Sequence, residues 1–251
     1  MRCCRLLASL GVATSVLASL PAAGAPTASD AAVPNALQEA VQTLASERAG
    51  FTAFHVHLDS EQRGPGHNAS LDVQSGLLRE GDRIAAVRIY SQAKDGKTLS
   101  ADDLAKAQAE VDKKLPSDPY VLPLREDQFS DYKVETAACD QCPAGSVELH
   151  FTSLKRDAVH GDGTMLVDAA SHHIVRIDFV PSAFPKYVDK ANVTLTYGRV
   201  LPDLWDVVEM RQHYEGHMLM LKGGADVTTS FTNYRRVASL DDGIKTLASG
   251  I

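Results

Sequence analysis

The sequence contains no Gly-x-Ser-x-Gly elbow, no Gly-rich phosphate loop and no His-Glu-x-x-His pair. Chemistries that depend on those local geometries therefore have no anchor in it. Positive charge is also scarce. With 25 basic against 32 acidic side chains the formal charge is −7, which argues against holding nucleic acid or an anionic membrane surface by charge. Of the four cysteines only Cys139 and Cys142 form a Cys-x-x-Cys, so a four-ligand zinc knuckle lacks its second ligand pair. No internal repeat and no composition break divides the chain.

The longest apolar run, Leu6 to Leu20, is too short for a membrane span. Arg2 and Arg5 precede it, and Pro21 with the small residues Ala22 to Ala25 follows, which reads as a secretory signal peptide over residues 1–25. Cys3 and Cys4 lie ahead of the run and cannot be the acylated cysteine of a lipoprotein. A soluble protein exported to the periplasm is expected, its mature charge more negative still once Arg2 and Arg5 are gone.

A flexible leader, residues 26–34, comes first, then a single domain over 35–240 and a tail over 241–251 for which the pattern specifies no element. Asn35 can cap a helix whose stripe is Leu37, Val41 and Leu44, stopped by Gly50. Three alternating segments follow: FTAFHVHLD, SLDVQSGLL and RIAAVRIYS. Ser100 opens a second helix with Leu104, Val111 and Leu115 as its stripe, ended by Pro116. An extended Pro116–Pro123 stretch leads to a hairpin around Cys139 and Cys142. From Gly163 to Arg236 apolar and polar residues alternate segment after segment, with a turn expected at Glu215-Gly216. The fold class is mainly β with a few helices, built on an antiparallel sheet.

Alternation puts Phe54, Val56, Leu58, Val73, Leu77, Val87, Ile89, Leu149, Phe151, Ile177, Phe179, Leu195, Tyr197, Met218 and Met220 on apolar strand faces. That is more apolar surface than two short helices can cover, so the sheet either curls on itself or holds a guest. The cysteine pair has three readings: a disulfide staple, which an oxidising compartment favours, a redox pair, and half a zinc site. His55 and His57 share one strand face at a separation that suits a shared metal, and His213 and His217 bracket Glu215. None has a third ligand fixed by spacing. No cofactor is called for. A metal-binding protein or metal-dependent hydrolase is the alternative that the nine histidines leave open.

Three stretches carry a family resemblance. VDAASHHIVRIDFVPS (Val167–Ser182), YGRVLPDLWDVVEMR (Tyr197–Arg211) and FTNYRR (Phe231–Arg236) resemble strands of the LolA/LolB-like lipoprotein-sorting group. The order of helix, three strands, helical insertion and long antiparallel run is similar to that group too. The resemblance implies a curved half-barrel around a helical plug, here Leu104, Val111 and Leu115, with no covalent chemistry. Its concave apolar face would hold an acyl chain, a lipoprotein or another lipid-like ligand. It also implies a monomer, with an envelope protein as a possible partner in a sensor or adaptor role.

Overall fold

The computed structural model describes residues 33–251 except 65, 140 and 219–220. The expected signal peptide, most of the leader and Met220 lie outside the described residues, as does the side chain of Met218. The described chain runs α1 (Asn35–Arg48), β1 (Phe51–Gly64), β2 (His67–Glu80), β3 (Arg83–Lys94), β4 (Lys97–Thr98) and α2 (Ala101–Lys113). After a long connection come β5 (Tyr132–Ala137), β6 (Ser146–Ser153), β7 (Gly161–Asp168), β8 (Ile174–Pro181), β9 (Val188–Leu201), β10 (Leu204–Met218), β11 (Leu221–Val237) and α3 (Leu240–Ser249).

All eleven strands join one unclosed sheet, ordered β4-β3-β2-β1-β11-β10-β9-β8-β7-β6-β5. Each neighbouring pair is antiparallel, so the first long strand lies against the last one. Bulges interrupt four of the pairings, and each adds local twist and bend.

Register decides which side chains share a face, because partners across an antiparallel pair point the same way. Leu58 pairs with Val73 and Phe54 with Leu77, and Leu77 pairs with Val87. In the other direction Leu58 pairs with Thr229, Thr229 with Met210, Met210 with Leu195 and Leu195 with Ile177. Ile177 pairs with Met165 and Met165 with Leu149. One inner face therefore carries nearly all the apolar residues that alternation selects.

Part of that face is filled from within. Leu37, Ala40, Val41 and Leu44 of α1 are buried against Leu149, Phe151, Ile177, Phe179, Val193 and Tyr197, with Leu122 of the long connection beside them. The plug helix is thus α1. The helix expected in that role, α2, buries none of its residues: Leu104 and Val111 are half-buried and Leu115 is exposed. Its stripe of three is too narrow to compete with the four buried apolar residues of α1.

Three local expectations also change. Asn35 is the first residue of α1 and does not cap it, whereas Ser100 does cap α2 by accepting from the Asp103 amide at 3.2 Å. The chain does not turn at Glu215-Gly216; β10 continues to Met218, with Gly216 opposite Gly223. Glycine is needed there because a Cβ at Gly216 would collide with the Tyr187 carbonyl. Finally, the tail forms α3, capped by Ser239 at the Asp242 amide. It packs on the outer face, where Leu247 joins buried Ala53 and Leu78.

The C-terminal end of α1 is tied to the sheet through charge. Arg48 donates to Asp206 Oδ1 at 2.6 Å and to Asp82 at 3.0 Å, while Arg79 of β2 donates to Asp206 Oδ2. Asp206 has no exposed surface. Burial alone would raise its carboxyl; the guanidiniums of Arg48 and Arg79 outweigh that and lower it to about 2. Arg236 adds donations to the Ala49 carbonyl at 3.1 Å and to the Glu47 carbonyl. Asp206→Asn would leave two buried cations short of a counter-charge, with an expected loss of about 3–5 kcal/mol in urea-induced unfolding. A loss under about 1 kcal/mol would show that the triad is not a structural tie. Because the folded carboxyl is depressed, the wild-type contribution is complete above the ordinary Asp range and disappears as pH falls towards 2.

Candidate functional site

The inner face divides into a filled part and an open part. Phe54 and Val56 are buried in a small cluster with Leu204 and Tyr234, and Leu77 packs against it. Leu58, Val73, Val87 and Ile89 are half-buried. Among the described residues they join none of the three buried clusters. Register places these four on one face: Leu58 pairs with Val73, whose β3 partner is Gln92, while Ile89 and Val87 pair with Ser75 and Leu77. Leu149, Phe151, Ile177, Phe179 and Tyr197 lie elsewhere, under α1 with Leu195 at their margin. They are core, and the structure does not bring them together with the β1–β3 patch.

Hydrogen-bonding groups border the patch. The Thr229 hydroxyl, opposite Leu58, is buried and has no partner among the described atoms. Further along the face, Tyr120 from the long connection receives a hydrogen bond from Gln212 Nε2 at 2.9 Å and shares one with the Tyr214 hydroxyl at 2.8 Å. Burial first, and then the neighbouring phenol, push the Tyr120 hydroxyl above its ordinary value. Burial raises Tyr214 as well, and it lifts Tyr197 to about 12. These phenols stay neutral near pH 7, and Asp206 stays charged. None of them is poised to exchange a proton there.

The histidines take up other roles. His55 stacks on Tyr90 at 6.0 Å between ring centroids, and His57 Nε2 lies 2.7 Å from Asp72; both are on the outer face. Cys139 and Cys142 are joined by a disulfide. Glu148 lies near enough to complete a possible metal-ligand group with that pair, but sulfur committed to a disulfide is not a thiolate donor. Sequence reasoning passed over His160, which is buried with Nδ1 2.8 Å from Asp157 and Nε2 3.4 Å from Asp131. It also missed the Arg48–Asp206–Arg79 group, although Arg79 and Asp206 interrupt apolar strand patterns and that interruption was a readable signal.

An open cleft of about 630 Å³ lies at the far end of β9, β10 and β11, lined by Arg63, Asp189, Lys190, His213, Glu215 and Lys222 with four glycines. Its charges are largely matched internally: His213 Nδ1 is 2.6 Å from Asp226 and Nε2 3.3 Å from Glu215, and Lys190 is 3.0 Å from Glu215. His217 Nδ1 is 2.6 Å from Asp189. The hydrogen bonds to Asp226 and Glu215 raise the His213 imidazole above its ordinary value.

No family model and no curated protein matches the chain. Solved structures do. The chain is similar to a LolA superfamily protein, NE2245, from Nitrosomonas europaea, at 12% identity over 82% of this chain and 95% of that one, with a TM-score of 0.35. An outer membrane lipoprotein-sorting protein domain from Vibrio parahaemolyticus is 13% identical over 83% and 96%, TM-score 0.37. A DUF1329 family protein from Desulfovibrio piger is 11% identical over 86% and 97%, TM-score 0.43. What this chain binds has to be read from its own side chains.

His213 carries a testable pH dependence. A raised folded value means its stabilisation is complete below the unfolded histidine value, about 6.5, and is lost as pH rises through the folded value. Asp226 is lowered by His213 first and Arg63 second, and Glu215 by Lys190 first and His213 second, so their share is lost only as pH falls through the acid range. His213→Gln should flatten the thermal midpoint between about pH 6 and 8. A midpoint whose slope in that interval matches the wild type would remove His213 from the account.

Proposed function

We propose that this protein is a non-catalytic binding protein that holds an acyl chain or similar lipid-like ligand against the inner face of its sheet. One observation carries the reading. Leu58, Val73, Val87 and Ile89 share one apolar stretch of the inner face that α1 does not fill and, among the described residues, no buried cluster absorbs. A half-buried patch of this kind, on the inner side of a curved sheet, gains from any guest that completes its removal from solvent.

The chemistry of the surroundings narrows the guest. The patch itself bears no charge, and burying hydrocarbon there contributes about 0.8 kcal/mol per methylene. The unpartnered Thr229 hydroxyl beside it offers one hydrogen bond to an ester or hydroxyl oxygen. A ligand with a chain and a single polar group suits that arrangement better than a sugar or nucleotide. Among the described residues no helix is long and apolar enough to cross a membrane. Export to the periplasm, expected from the signal peptide, would place the protein where lipid-like cargo needs a carrier.

A titration with a fluorescent fatty-acid probe tests this. The native protein should bind with the emission shift of an apolar site, and Val73→Glu should weaken binding at least tenfold, because a buried carboxylate would have to be desolvated. Circular dichroism confirms that the variant is folded. Absence of probe binding by the folded native protein, or equal binding by Val73→Glu, would defeat the reading.

A further inference from the structure

The outer edge of β3 carries an unusual cap. Gln108 of α2 accepts from the Ile89 amide at 2.8 Å and donates to the Val87 carbonyl at 2.9 Å. One side-chain carboxamide thereby satisfies a donor and an acceptor that flank Arg88. That is the hydrogen-bond pattern which one residue of an adjacent parallel strand would make. A carboxamide is also the chemical equivalent of a peptide unit. Along this strand β4 pairs only with Ala93 and Lys94, so among the described residues no strand covers Arg83–Ser91.

The cap is weakly held. α2 buries none of its residues, and only Leu104, Ala107, Gln108 and Val111 are even half-covered. Around it the exposed positions are mostly charged, including Asp102, Asp103, Lys106, Glu110, Asp112 and Lys113. Edge strands are ready templates for another chain and are commonly covered for that reason. Here the cover mimics what it excludes.

We propose that the edge of β3 around Arg88 is a docking site for an extended peptide segment, which adds to the sheet as a strand when α2 lifts away and releases Gln108. The occupant's chemistry follows from the two faces of β3. Val87 and Ile89 point to the apolar inner face, while Arg88 is exposed between them. The matching segment alternates apolar residues, facing inward, with acidic or polar ones that meet Arg88. Main-chain bonds would supply affinity and the alternation would supply selectivity. This inference does not depend on acyl-chain binding, which is measured separately.

The test uses the full chain and a fluorescein-labelled nine-residue peptide alternating valine and glutamate, blocked at both ends. Anisotropy should show binding, and amide exchange should show new protection within Arg83–Ser91. The same peptide N-methylated on alternate residues should not bind, because it lacks the required donors. Gln108→Ala should tighten binding of the parent peptide about tenfold, since two competing hydrogen bonds are removed. Gln108→Glu keeps the acceptor for Ile89 and loses the donor to Val87, so it should fall between the two. It also serves if the alanine variant folds poorly. If the parent peptide binds neither the native protein nor either variant, Gln108 is only an edge cap and the proposal fails. It fails equally if the N-methylated peptide binds as well as the parent, or if protection appears elsewhere in the chain.

Discussion

Two guanidiniums share one fully buried carboxylate, and much of the architecture follows from that contact. Arg79 stands on β2 and Asp206 on β10, with β1 and β11 between them. On a flat sheet three strand spacings would separate them by about 14 Å. An extended arginine and aspartate, with the hydrogen bond between them, reach roughly 13 Å, and only if both lie flat along the sheet. Side chains stand roughly perpendicular to a sheet, so their direct ion pair favours a sheet that curls towards the inner face. Arg48 joins the same carboxylate from α1, so the helix is fixed in the curl it fills. Charge buried this deeply contributes little net stability when complete and costs a great deal when broken. Its value here is geometric.

That geometry separates the inner face into regions with different duties. Under α1 the residues of β6 to β9 are packed as a core, and substitution there would be felt as a cavity. On β1 to β3 Leu58, Val73, Val87 and Ile89 remain half-covered. Both regions derive from the same alternating pattern. What distinguishes them is that α1 lies over the first region while α2 sits at the edge of β3, and α1 has the buried stripe and the charge ties that α2 lacks.

Period-two alternation was sufficient to identify the sheet and the common face, because side-chain direction is a local property of a strand. It placed Leu149 and Val73 in one list, although the first is core and the second lies open. That difference depends on contacts between residues far apart in sequence, which periodicity does not encode. The same limit reversed the roles of α1 and α2: both have short apolar stripes, and only tertiary packing decides which is buried. Other misses were local and had a signal. Ser239 stands three residues before Asp242, the same arrangement that marked Ser100 and Asp103, and it opens α3. Arg79 and Asp206, charged residues on strands rich in apolar ones, were the visible trace of the buried triad.

The pairing of β1 with β11 has a consequence for how the chain comes into being. β1 to β4 can form a meander from local hairpins, and β5 to β10 can do the same, but the seam between these halves closes only through the last strand. A polypeptide that emerges amino-terminus first must keep the open side of β1 from pairing with other chains until β11 has appeared. Closing so long a loop is slow relative to the hairpins on either side. The period of greatest vulnerability to aggregation thus belongs to a chain whose two half-sheets have formed before β11 joins them.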